Sequence, residues 1–140
     1  MTDAFVAFVG RNRREFWTDL FNPKGFRHCH PFWYDPICER WIIADCTRGN
    51  ITVDALTPAQ FDHWLLIMQR AGAVFLGVKR QVSPHFLTRL GIWCVPFTAH
   101  AVGSSSRAFR PIGLFRDLVR EGAVPAFTRS PQESTSDDES

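Results

Sequence analysis

Six apolar residues, Ala4-Phe5-Val6-Ala7-Phe8-Val9, stand unbroken near the start of the chain and close at Gly10. A run this short and continuous predicts a buried strand. Residues 11–24 are mixed, with a short helical turn expected at 15–21, and Asn22-Pro23-Lys24-Gly25 signals a turn. A second strand is expected over 26–33, broken by Asp35-Pro36, and a third over 40–46. The short break between them predicts an antiparallel hairpin. Ile51-Thr52-Val53 reads as a brief fourth strand.

The clearest helical pattern covers 58–71. Thr57 can cap it, Pro58 suits the first helical position, and Gln60 completes a capping box. Phe61, Trp64, Leu65 and Met68 follow the i, i+3, i+4, i+7 spacing of a buried stripe, and Gly72 is a natural stop. Another strand is expected over 73–78, followed by a polar connection to Arg89-Leu90-Gly91-Ile92-Trp93. A short helix can begin at Cys94, since Pro96 fits a first turn, and would end near Val102 at Gly103. After the Ser104-Ser105-Ser106 loop, Pro111 opens a last helix. Ile112, Phe115 and Leu118 are expected to face inward, and Gly122 ends the helix. The pattern as a whole predicts an α+β fold, a small antiparallel sheet packed with helices. A single domain is expected over 1–127.

Composition narrows this picture. The chain has 140 residues, 45% of them hydrophobic, with thirteen Phe and five Trp, enough bulk for a core without disulfides. No apolar run approaches the ~20 residues of a membrane-spanning helix. The N-terminus lacks a basic n-region and a cleavage site, which predicts no Sec-type signal peptide and synthesis into a cytoplasm. Residues 128–140 carry a net charge of −3, leaving +5 on the rest of the +2 chain. The tail is rich in Ser, Thr, Asp, Glu and Pro, and is expected to be disordered or bound to a partner. A mildly basic body can face an anionic polymer such as peptidoglycan. Nucleic acid is disfavoured, because the arginines are scattered and no binding motif is present.

Candidate chemistry centres on a cysteine. The four cysteines, Cys29, Cys38, Cys46 and Cys94, form no CxxC pair, so thiols rather than disulfides are expected. A thiol nucleophile needs a route to thiolate near neutral pH, an imidazole to move the proton, and a polar group to orient that imidazole. Cys94 sits at a predicted helix N-terminus, where the macrodipole and unpaired N–H groups favour an anion. The same groups can stabilise an oxyanion. His28 is the candidate base, with Asp45 on the neighbouring strand able to lie beside it; His30 has the same strand parity and is the alternative base. Asp45 has a competing role as a cap for the turn Thr47-Arg48-Gly49-Asn50. His28-Cys29-His30 with Cys38 and Cys46 lacks the paired knuckles of a structural zinc site, so no metal and no cofactor is expected. His63, His85 and His100 read as surface or packing residues.

Gly25-Phe26-Arg27-His28-Cys29, then Trp41-Ile42-Ile43-Ala44-Asp45, then Trp93-Cys94-Val95 before a helix together resemble the permuted papain-like cysteine hydrolases. These are the NlpC-type cell-wall peptidases and the lecithin:retinol acyltransferase group. Phe109-Arg110-Pro111-Ile112-Gly113-Leu114-Phe115 is similar to a segment after the Cys helix in small phage-encoded members. The resemblance covers about residues 4–122. It implies a circularly permuted papain-like fold, Cys94 as nucleophile, His28 as general base and Asp45 as orienting group. It further implies hydrolysis of amide bonds, with peptidoglycan peptides as substrate and a phage or phage-like particle as carrier. Two features depart from the family pattern: Pro96 removes one backbone donor close to Cys94, and Gln81 lies thirteen residues upstream with no evident oxyanion position. The alternative expectation is therefore a non-catalytic structural or adaptor protein of a virion, held to other particle proteins through residues 128–140.

Overall fold

The computed structural model describes residues 4–10, 26–47, 50–79 and 94–128. The helical turn expected at 15–21, the turn at 22–25, the connection over 80–93 and all but Thr128 of the acidic tail lie outside the described residues.

Six strands build one antiparallel sheet: β1 (Ala4–Val9), β2 (His28–Asp35), β3 (Arg40–Thr47), β4 (Asn50–Leu56), β5 (Val74–Val78) and β6 (Val124–Ala126). Their spatial order is β4-β3-β2-β1-β5-β6. Among the described residues three helices accompany them: α1 (Pro58–Arg70), α2 (Cys94–Val102) and α3 (Pro111–Arg120). The molecule is thus α+β, as the pattern predicts. Near the middle of the sheet, β1 pairs with β2 on one side and β5 on the other. This position explains its continuous apolar run, because Ala4, Val6, Ala7 and Phe8 are all buried.

Alternation along the strands divides the core in two. Val6, Phe8, Cys29, Leu76 and Val78 face Val95, Ala99 and Val102 of α2 and Leu114 and Leu118 of α3. Ala7, Phe32, Ile43 and Phe75 face Phe61 of α1, with Trp64, Leu65 and Met68 packed around them. The second layer is rich in aromatic rings, and Trp41 stacks on Phe61 at 3.8 Å between ring centres.

The helix ends follow their sequence signals. Thr57 Oγ1 accepts from the Gln60 amide at 3.2 Å and Gln60 Oε1 accepts from the Thr57 amide at 2.9 Å, closing the capping box. Gly72, Gly103 and Gly122 each have positive φ just past a helix, a conformation that glycine adopts without steric cost.

Three expectations need correction. In α3 the buried positions are Pro111, Leu114 and Leu118, while Ile112 and Phe115 are half-buried. Phe115 does reach the core, packing edge-on against Phe8, but the inward stripe is 111, 114, 115 and 118, and Ile112 stands off it. The fourth strand is longer than Ile51-Thr52-Val53, because the whole of β4 pairs with β3 from Trp41↔Leu56 to Thr47↔Asn50. It escapes the pattern because six of its seven residues are exposed. Finally, β6 was not expected, since Val124-Pro125-Ala126 is short and carries a proline. As an outer strand that among the described residues pairs with β5 alone, it tolerates that proline.

Candidate active site

The hairpin of β2 and β3 sets up the first half of the site. The paired register runs from Asp35↔Arg40 to Phe32↔Ile43. Extended by the same step it would set Asp45 opposite His30, with His28 as the diagonal neighbour on the same face. The hydrogen bond goes to the diagonal residue: His28 Nε2 lies 2.5 Å from Asp45 Oδ1. Asp45 therefore engages an imidazole; residues 48 and 49 of the turn that follows it lie outside the described residues.

The second half comes from α2. Cys94 is the first residue of that helix and His28 the first of β2, so the two elements meet at their ends. The half-buried Cys94 thiol lies beside the His28 ring, close enough that each shifts the other's ionisation. With Nε2 engaged by Asp45, the remaining ring nitrogen, Nδ1, is the one left for sulfur. Cys94, His28 and Asp45, the three residues singled out in the sequence, thus stand together in one chain of contacts.

The electrostatics of this chain separate the charges. The Cys94 thiol is lowered to about 5, chiefly by a hydrogen bond with the Cys29 thiol and then by the His28 ring, against an opposing burial effect. His28 is raised to about 9, first by Asp45 and then by Cys94. Asp45 is held below the usual carboxylate range by its bond to His28. Near neutral pH the resting site is a thiolate beside an imidazolium backed by a carboxylate. The first turn of α2 adds backbone N–H groups that have no partner within the helix, which favour negative charge at the helix start; Pro96 contributes none.

His30, the alternative base, occupies a different environment. It is buried, its ring packs edge-on against Trp64, and burial lowers it to about 4. Its Nδ1 has no hydrogen-bond partner among the described residues. A neutral, walled-in ring is poorly placed to carry a proton between sulfur and solvent.

One donor set in this region could hold a cation. Single donor atoms of His28, His30 and Asp45 lie within 4.8 Å of one another. A tetrahedral zinc with bonds of ~2.0–2.1 Å needs its donors roughly 3.3 Å apart. Of the three, His28 and Asp45 are already joined by a direct hydrogen bond.

Sequence reasoning missed the part played by Cys29. Its sulfur lies 3.6 Å from the Cys94 carbonyl oxygen and 3.7 Å from Thr98 Oγ1, and burial together with the neighbouring sulfur pushes its own thiol well up. Strand parity was the available signal, because Cys29 must face away from His28 and toward any helix covering that side. Of the other histidines, His63 is exposed on α1, His100 is half-buried on α2, and His85, like Gln81, lies outside the described residues. Among the described residues no helix is long and apolar enough to cross a membrane. Comparison with family models, curated proteins and solved structures finds no match to this chain.

Proposed function

We propose that the protein is a cysteine hydrolase of amide bonds, with Cys94 as nucleophile, His28 as proton carrier and Asp45 as the group that orients it. The observation that carries this reading is the continuous contact chain from a helix-start thiol through an imidazole to a carboxylate. Each link has a chemical purpose. The thiolate attacks the carbonyl carbon, and the backbone N–H groups at the start of α2 receive the developing oxyanion. Imidazolium His28 gives its proton to the departing amine as the C–N bond breaks, leaving a thioester on Cys94. Neutral His28 then takes a proton from water, which attacks the thioester and releases the acid. Asp45 holds Nε2–H throughout, so that Nδ1 keeps facing sulfur.

The order of elements supports a circularly permuted papain-like arrangement as the finer description, with the histidine and carboxylate strands preceding the cysteine helix. Through the sequence resemblance, peptidoglycan peptides are the substrate of choice, met by the protein as part of a phage-like particle. The test is digestion of purified peptidoglycan and of synthetic stem peptides by the full chain, with new amino and carboxyl ends read by mass spectrometry. New ends that vanish with Cys94→Ala are expected. No cleavage of either substrate by folded wild-type protein would leave the particle-component reading in its place.

A further inference from the structure

The thiol that packs behind Cys94 has a chemistry of its own. Cys29 reaches the site from the middle of the sheet, where it pairs with Phe8 across to β1. Cys94 and Thr98 are four residues apart, so they lie on the one stripe of α2 that faces Cys29. The Cys29 sulfur touches both: it is 3.6 Å from the Cys94 carbonyl oxygen and 3.7 Å from Thr98 Oγ1, and the two thiols are close enough to shift each other's ionisation in opposite directions. Thr98 Oγ1 in turn donates to the Cys29 carbonyl oxygen at 3.4 Å. The proposed hydrolysis gives Cys29 no step of its own, yet the structure sets its sulfur directly against the Cys94 residue, 65 positions away in sequence.

We infer that Cys94 and Cys29 form a hydroperoxide-oxidised dithiol site, in which Cys94 is the reacting sulfur and Cys29 the resolving one. The inference shares Cys94 with the proposed hydrolase but does not depend on turnover. In the first step the Cys94 thiolate attacks one oxygen of hydrogen peroxide. The S–O bond forms, the O–O bond breaks, and the departing hydroxide takes a proton from imidazolium His28 and leaves as water. Sulfur is oxidised by two electrons to the sulfenic acid and the peroxide is reduced. In the second step the Cys29 sulfur attacks the Cys94 sulfur. The S–S bond forms, the S–O bond breaks, and the hydroxyl leaves as water with the Cys29 proton. Two thiols and one peroxide thus give one disulfide and two waters.

The environments set the order of events. Cys94 is half-buried beside an imidazolium and is the ionised member, whereas Cys29 is fully buried and kept as the thiol. With the Cys29 sulfur already 3.6 Å from the Cys94 backbone, the ~2.05 Å bond of a disulfide calls for the Cys94 side chain to turn toward it. The disulfide removes the Cys94 thiolate and spares it from the irreversible sulfinic and sulfonic acids, so a peroxide pulse silences the site and a thiol reductant restores it.

Peptide mapping of the full chain under non-reducing conditions tests this directly. The protein is exposed to a few equivalents of hydrogen peroxide, remaining thiols are alkylated, and cross-linked peptides are sought. A Cys29–Cys94 peptide is expected in most chains, with two of the four thiols lost and both returned by dithiothreitol. In Cys29→Ser the sulfenic acid on Cys94 has no resolving partner and is expected to be captured by dimedone. Oxidation of Cys94 past the sulfenic acid in wild-type protein while Cys29 stays a thiol would overturn the inference. So would a Cys94 no more sensitive to peroxide than the exposed Cys38. Neither readout needs substrate, so a failure here is separate from a failure to hydrolyse amides.

Discussion

The charge state of Cys94 can be read from the pH dependence of its reactivity. The thiol is lowered from an ordinary 9.0 to about 5. At pH 7 it is essentially all thiolate, about 100-fold more than an unperturbed thiol. Intrinsic nucleophilicity falls with basicity, however, by a Brønsted slope of ~0.4–0.5, so four units cost roughly 60-fold. The two effects nearly cancel at pH 7, and Cys94 should react there only about 2-fold faster than an ordinary thiol. At pH 5.5 the ionised fractions differ by roughly 2,400-fold, leaving a net advantage of about 40-fold. The assay is stopped-flow reaction with dithiodipyridine from pH 4 to 8, comparing wild type, Cys94→Ser and a small-molecule thiol. The phase missing from Cys94→Ser should keep a nearly constant rate from pH 7 to 5.5 and halve near pH 5. A rate that drops tenfold per pH unit over that interval would refute the ion pair and the electrostatic argument built on it.

Other consequences concern partners and packing. Asp45→Asn removes the strongest influence raising His28, so the upper limb of the hydrolysis pH profile should move down from about 9 while the fold, followed by circular dichroism, stays intact. Folding stability is linked to the same pair. Below pH 9.0 the unfolded chain keeps the Cys94 proton that the folded chain releases down to about 5, and above 6.5 the folded chain keeps the His28 proton that the unfolded chain loses up to about 9. The two cancel between about 6.5 and 9, so this pair holds Tm level there and lowers it as pH falls from 6.5 to 5. In Cys94→Ser only the His28 contribution remains, and it is instead lost as pH rises above 6.5, over a window that closes below 9 because Cys94 no longer helps to raise the ring. Leu114→Ala should cost about 2–5 kcal/mol in urea unfolding, because the side chain is fully buried against the sheet. Thr57→Ala should cost about 1 kcal/mol by opening the capping box of α1.

Much of this architecture is legible in the chain because it rests on local signals. The Thr57–Gln60 box, the apolar stripe of α1 and the glycine stops at 72, 103 and 122 are all set by near neighbours. The hairpin of β2 and β3 follows from its alternation and the Asp35-Pro36 break, and with it the closeness of His28 and Asp45. What local pattern does not encode is register. Extension of the observed pairing favours His30 as the neighbour of Asp45, and only the three-dimensional placement of the rings gives the bond to His28. Outer strands are equally hard to read. β4 is exposed over most of its length and β6 is three residues long, so neither has the buried alternation that marks a strand. The Cys29–Cys94 contact is a meeting of strand and helix, which no spacing along the chain can announce.

The central claim, that Cys94 forms a covalent acyl intermediate resolved with the help of His28, is tested most directly by acylation of the full chain. Wild-type protein mixed with p-nitrophenyl acetate should release a burst of one p-nitrophenolate per chain and carry one acetyl group, mapped to Cys94 by mass spectrometry, that disappears with time. Cys94→Ala should show no burst. His28→Ala should lose the burst or retain the acetyl group without releasing it. Acetyl groups spread over Cys38 and the lysines with no preference for Cys94, or a burst and release unaffected by His28→Ala, would contradict the account.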